Sequence, residues 1–212
     1  TQAGDDFDTE HSNLGIGYRA LGGSIAGGEY NIAIGNSSGM SVTSADYNTF
    51  LGYYAGSSIT SGTKTTIVGA SAAQSSTTCD DSVIIGYQAA GESGTAMTGN
   101  DNTFVGSQAG YAHTSGYNNV LIGKKAGYSI TTGARNTFIG YQAGDGHDAE
   151  TYNVGIGEGA LGGSIAGGEY NTAVGPLTLD AVTSGDDNVA MGYQAGTAVT
   201  TGSKNTCIGK GA

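Results

Sequence analysis

Five residue classes recur in fixed order along the chain: Asn, a β-branched residue, an apolar residue, an aliphatic residue and Gly, as in Asn136-Thr137-Phe138-Ile139-Gly140. Copies start at residues 13, 31, 48, 65, 82, 102, 119, 136, 153, 171, 188 and 205, so the usual period is 17 residues, with two copies of 18 and one of 20. A fixed period of this length marks a stacked repeat architecture. Position one is Asn in ten of the twelve copies, replaced by Thr65 and Ser82, and position five is Gly in all twelve. Position two is β-branched except at Leu14, and position four is always aliphatic or Met. Alternate residues share one face of a strand, so positions two and four lie together and each copy opens with a short β-strand.

On this pattern the fourth row, from Ile16 to Ile208, is expected to fill the coil, with Gly turning the chain behind it. Asn at position one is expected to form a hydrogen-bonded ladder between coils. The third row then points outward: Gly15, Ala33, Phe50, Ile67, Ile84, Phe104, Leu121, Phe138, Gly155, Ala173, Ala190 and Cys207, without one polar residue. An outward row this apolar calls for a partner. Phe50, Ile67, Ile84, Phe104, Leu121 and Phe138 are therefore candidate contacts between chains of a homotrimer around a fibre axis.

The second half of each copy predicts a weaker strand around position twelve, at Val42, Ile59, Ile130, Val182 and Val199, followed by turn clusters such as Thr132-Gly133-Ala134-Arg135. Two strands and two turns per copy describe a flattened all-β roll, a parallel β-solenoid of about twelve 17-residue coils. Residues 13–212 form one repeat domain, with an insertion at 91–101 that is expected to bulge outward and offer a specific contact. Residues 1–12 are a partial coil or cap, in which Phe7 plugs the open end or belongs to a degenerate coil. Leu21 to Asn31 recurs unchanged as Leu161 to Asn171, a superrepeat of eight coils that points to a longer natural protein.

Composition sharpens this picture. With 40 Gly but only 35 Leu, Ile, Val and Phe together, an ordinary globular core is out of reach, and only a strict repeat can bury enough. The net charge of -11, with no basic run, excludes nucleic acid as a partner. No apolar stretch has the length of a membrane span. Cys79 and Cys207 lie many coils apart and cannot bridge within one chain.

Candidate chemistry is thin. Gly157-Glu158-Gly159-Ala160-Leu161-Gly162 spells a dinucleotide-binding fingerprint, but it falls inside copy nine, without the helix that motif requires. His113 and His147 share position twelve and read as partly buried structural residues rather than metal ligands, and His11 has no evident partner. The acidic loops Asp80-Asp81, Asp101, Asp145 to Asp148 and Asp186-Asp187 lack the ligand spacing of a calcium loop and read as solvated turns, with Ca²⁺ as the weaker alternative. No nucleophile, base and acid recur together, so the expectation is no enzyme, no catalytic residue and no cofactor. Tyrosine stands out instead. Tyr18, Tyr53, Tyr87, Tyr141 and Tyr193 share position six, and Tyr30, Tyr47, Tyr152 and Tyr170 close their coils. Such rows present rigid contact surface to a glycan or protein receptor, or simply stack to stabilise the roll.

These phrases resemble two related families. Asn31-Ile32-Ala33-Ile34-Gly35 and Asn171-Thr172-Ala173-Val174-Gly175 look like the short strands of trimeric autotransporter adhesin heads. Asn-Thr-Phe-Ile-Gly-Tyr-Gln-Ala-Gly phrases spaced by Thr-Ser-Gly or Thr-Thr-Gly are similar to repeat regions of bacteriophage tail-fibre proteins and their bacterial relatives. The resemblance implies a left-handed β-roll assembled as a homotrimer, outside the cell on a virion tail fibre or a bacterial surface. The expected function is thus a structural fibre segment in attachment. The alternatives are the head of a bacterial trimeric adhesin and, from another class, a monomeric solenoid that binds ice or a mineral through its Thr rows.

Overall fold

A computed structural model describes residues 12–23, 26–91, 96–163 and 166–212. The expectations for Phe7, His11 and residues 92–95 of the insertion lie outside these residues. Positions two to four of each copy form one three-residue strand, from β1 (Leu14–Ile16) through β8 (Thr137–Ile139) to β12 (Thr206–Ile208). The twelve strands make a single parallel sheet in sequence order, each pairing only with the coil before and after it. Register is kept position for position, as in Thr137↔Val154, Phe138↔Gly155 and Ile139↔Ile156. The fold is an all-β parallel solenoid of about 17 residues per coil.

The stack is tied by backbone bonds between like positions. Gly140 N donates to Ile122 O at 2.8 Å and Gln142 N to Lys124 O at 3.1 Å, both one coil back. The expected Asn ladder is present and buried. Asn136 accepts on Oδ1 from Asn153 N at 2.9 Å, while its Nδ2 spans the coil to Glu150 O at 2.8 Å. Thr65 keeps part of this role, its Oγ1 donating to Cys79 O at 2.9 Å. Position five must be Gly for two reasons. Gly140 has φ +139°, and a Cβ there would lie 2.5 Å from Gly157 O of the next coil.

Two expectations are corrected. The first concerns which rows lie inside. Phe50, Ile67, Ile84, Phe104, Leu121 and Phe138 are fully buried within their own chain, so they cannot be contacts between chains. Positions two and four face outward instead, with Leu51 43%, Met191 51% and Ile122 36% exposed. The physical reason is volume. Row three points at row nine across the coil, and the two fill one space between them. Phe50 faces Gly56, Phe104 faces Gly110 and Phe138 faces Gly144, where an added Cβ would overlap the phenyl ring in each case. In three coils a small row-three residue goes with a large row-nine one, Gly15 with Leu21, Gly155 with Leu161 and Ala173 with Leu179, and all three Leu are buried, while Ala33 with Gly39 and Ala190 with Gly196 are small in both rows.

The second correction concerns the weaker strand. Among the described residues each coil has one strand, and position twelve lies in none. Its residues are inward, since Val42, Ile59, Ile130 and Val182 are buried. Their amides, however, bond back to position nine of the same coil, Ile59 N to Gly56 O at 3.1 Å and Ile130 N to Gly127 O at 3.2 Å. This closes a turn instead of a ladder. Positions seven, nine and the last of each coil take positive φ, as at Gln142 (53°), Leu161 (52°) and Tyr152 (60°), and a strand cannot pass through that conformation. The insertion rejoins the stack at Met97, which is buried and accepts from Thr77 N at 3.2 Å.

Candidate functional site: the outward sheet face and its tyrosine borders

The inverted packing puts β-branched and aliphatic side chains on the outside of the sheet. Rows two and four run unbroken along all twelve coils, and none of their residues is charged in a chain of net charge -11. Ile32, Leu51, Ile85, Ile122, Ile156 and Met191 are among those that present large apolar side chains to solvent. Where row two is Val, Ile or Leu, as in six coils, the strand is apolar at all three positions and fits either phase, which hides this face; Thr in the other six is the only polar mark of it. The inverse sizes of rows three and nine in the coils of Phe50, Phe104, Phe138, Gly15, Gly155 and Ala173 are a signal that points to this phase.

Tyrosines border the face on both sides, and the two borders differ. At the coil-closing border rings sit in adjacent coils and cover one another. Tyr30 stacks on Tyr47 at 4.9 Å and Tyr152 on Tyr170 at 5.0 Å, while Arg135 lies between Tyr117 (4.7 Å) and Tyr152 (5.2 Å). Here stacking stabilises the roll and occupies one face of each stacked ring, although these rings are as exposed overall as those at position six, with Tyr47 58% exposed. At position six no two Tyr occupy neighbouring coils. Asn36 separates Tyr18 from Tyr53, and Ala70 separates Tyr53 from Tyr87. Tyr18, Tyr53 and Tyr87 are each more than half exposed, and Tyr141 and Tyr193 are 45% exposed. Lys210 Nζ stands 5.8 Å from the Tyr193 ring centre, and Tyr54 meets Tyr53 edge-on at 4.5 Å.

The remaining candidate groups serve the fold. The His113 and His147 rings pack against Phe104 and Phe138 at 4.9 and 4.6 Å in the coil interior. Burial pushes their imidazoles down, to about 4 for His113 and about 3 for His147. Both ring nitrogens of His147 and Nδ1 of His113 lack a partner, which suits neutral side chains in a dry core. In the acidic loops Asp80 Oδ1 accepts from Thr63 N at 2.7 Å and Asp186 Oδ1 from Glu169 N at 2.9 Å, both one coil back. These carboxylates therefore act as staples between coils. Among the described residues no group of three His, Cys, Asp or Glu could hold a metal ion, and no helix is long and apolar enough to cross a membrane.

The two cysteines are free, and burial pushes the Cys79 thiol up to about 12. An open depression is lined by Gln142, Asp145, Gly159, Leu177 and Asp180. Burial raises the Asp145 pKa against the hydrogen bond from Gln142 Nε2 at 3.0 Å, and the depression's only ionisable groups are the Asp145 and Asp180 carboxylates, without a His, Cys, Ser or Lys in its lining. No family model, curated protein or solved structure matches this chain.

Proposed function

We propose that the chain is a structural fibre segment used in attachment, in which copies associate through the outward sheet face while the tyrosine borders stay open to a receptor. The carrying observation is the charge-free stripe of rows two and four along the full stack, aliphatic or Met throughout row four and β-branched or Leu in row two. An apolar surface that long is a liability on a monomer, and closing it against other copies of the chain removes it from water. Three copies around a common axis close the stripe symmetrically, in keeping with the resemblance to left-handed trimeric rolls of tail fibres and surface adhesins. Rows two and four thus take over the interface role first assigned to Phe50 and Phe138. Extracellular display, a cell-surface glycan or protein receptor and the absence of catalysis belong to the same reading. Analytical ultracentrifugation tests it: a discrete trimer is expected, broken by Ile122→Asp together with Ile156→Asp. A stable monomer refutes it.

One observation favours a second reading. Thr49, Thr66, Thr103, Thr137, Thr172 and Thr206 sit in outward row two, in every second coil from Thr66 to Thr206, an arrangement suited to binding ice or a mineral as a monomer. Thermal hysteresis from a monomeric protein would decide for it.

A further inference from the structure

We propose that Tyr18, Tyr53 and Tyr87 form an aromatic strip for an extended, uncharged β-1,4-linked hexopyranose chain, of the glucan or chitin type, lying along the solenoid axis. The inference rests on the attachment reading and names its ligand class. The argument begins with spacing. Rings in adjacent coils lie 4.9 to 5.0 Å apart, so tyrosines in every second coil lie about 10 Å apart. A β-1,4-linked hexopyranose chain in its extended form repeats every two sugars over that same length. Successive rungs therefore meet equivalent sugar faces.

The rungs are also held rigidly. The carbonyls of Tyr18, Tyr53 and Tyr87 accept from Ser37, Ser71 and Gln108 N at 2.8, 2.8 and 2.9 Å, in the ladder to the next coil. Affinity therefore loses little to ordering of the backbone. Asn36 and Ala70, between the rungs, are short and neutral, leaving room for the sugar rings. The coil-closing border differs in pitch, because Tyr30 and Tyr47 occupy adjacent coils 4.9 Å apart and each spends one face on the other, a spacing that does not match the sugar repeat. Charge selects the ligand further: a chain of net charge -11 repels anionic polysaccharides and favours neutral ones. Tyr141 and Tyr193 lie three coils apart and do not match the repeat.

The test is affinity electrophoresis of the full chain through gels containing hydroxyethyl cellulose or glycol chitin, with α-linked dextran as control. Retardation by at least one β-1,4-linked polymer and not by dextran is expected. Tyr53→Ala should weaken binding about tenfold, while Tyr141→Ala and Tyr47→Ala leave it unchanged. The decisive variant combines Tyr53→Ala with Ala70→Tyr, which keeps the number of tyrosines but moves the middle rung by one coil. It should bind as weakly as Tyr53→Ala alone. Full binding by the shifted variant, no loss in Tyr53→Ala, or no retardation of the unmodified chain overturns the proposal. So does a change of particle mass in Tyr53→Ala, which would place the strip between copies. A trimeric rod that binds neither polymer refutes the strip and spares the fibre, whereas a monomer that binds refutes the fibre and spares the strip.

Discussion

Moving volume across the coil at rows three and nine is the most direct test of the inverted packing. Phe138 is fully buried over Gly144, whose Cβ would overlap the ring, and Ala173 with Leu179 shows the opposite solution two coils on. Phe138→Ala opens a cavity in a dry interior and should cost about 4 kcal/mol. Gly144→Leu alone forces a side chain into the phenyl ring and should cost about 2 kcal/mol or more. Independent sites would give a sum of about 6 kcal/mol in the double variant. In the double variant the new Leu fills the space that Phe left, regaining about 2–3 kcal/mol of burial less about 1 kcal/mol for its left-handed backbone. Position nine already tolerates that conformation in Leu179, at φ 50°. The double variant should therefore lie about 2–3 kcal/mol below the parent, a coupling of about 3 kcal/mol. Urea unfolding followed by far-UV circular dichroism gives the totals, and amide hydrogen exchange shows whether the loss is local to these coils, as a quasi-one-dimensional stack allows. Additive losses, or a mild Phe138→Ala, would refute the shared-interior argument.

Three further outcomes follow from the same geometry. Gly140→Ala, blocked by both φ and the Gly157 carbonyl, should unfold its coil or cost well over 2 kcal/mol, whereas Gly209→Ala, at φ +122° with nothing within 4 Å, should cost only its backbone strain of about 1–3 kcal/mol; chemical denaturation compares them. Acid should destabilise the stack through His113 and His147, because their folded pKa values lie below the unfolded 6.5. Above pH 6.5 both states are neutral and nothing changes. Below it the unfolded chain binds protons first, so stability falls by about 1.4 kcal/mol per pH unit per histidine, reaching about 2–3 kcal/mol each near pH 4.5. Replacing both by Ile, the residue at position 130, should remove this share of the pH dependence. Cys79, its thiol pushed up to about 12, should resist a thiol reagent at pH 8 that labels the partly exposed Cys207.

The period, the strands, the obligatory Gly and the Asn ladder were legible because each depends on one residue type recurring at one position. Asn136 and Gly140 each meet a backbone demand that few other side chains satisfy. The phase of the sheet was only faintly legible by alternation, because Thr marks the outward row two in six coils, as at Thr137, while Val, Ile or Leu fills it in the other six. It was legible in pairs, through the trade of Phe138 with Gly144 against Gly155 with Leu161. The second strand failed for a related reason: an inward Ile130 requires only that its side chain reach the core, and a turn achieves this as well as a strand. Of the candidate site, the position-six tyrosines were visible as a class. The alternate-coil spacing of Tyr18, Tyr53 and Tyr87 followed from the repeat itself, whereas the face-to-face stacking of Tyr30 on Tyr47 needed side-chain geometry to be seen.

The backbone itself gives a reason for the stack to be long. Twenty-seven described non-Gly residues hold positive φ, at positions seven, nine and the last of the coils. Each costs on the order of 1 kcal/mol on its own, so a single coil carries two or three such penalties and buries one short interior row. A coil alone is therefore unstable, and only its neighbours, through the ladders at Gly140, Gln142 and Asn136, hold it in place. Every added coil shares the same two interfaces, so stability grows with length while the shape repeats. A chain built this way is stiff because its turns have no other conformation open to them while stacked. That stiffness keeps Tyr18, Tyr53 and Tyr87 at a fixed pitch, and it keeps rows two and four in register from coil to coil for another copy to cover.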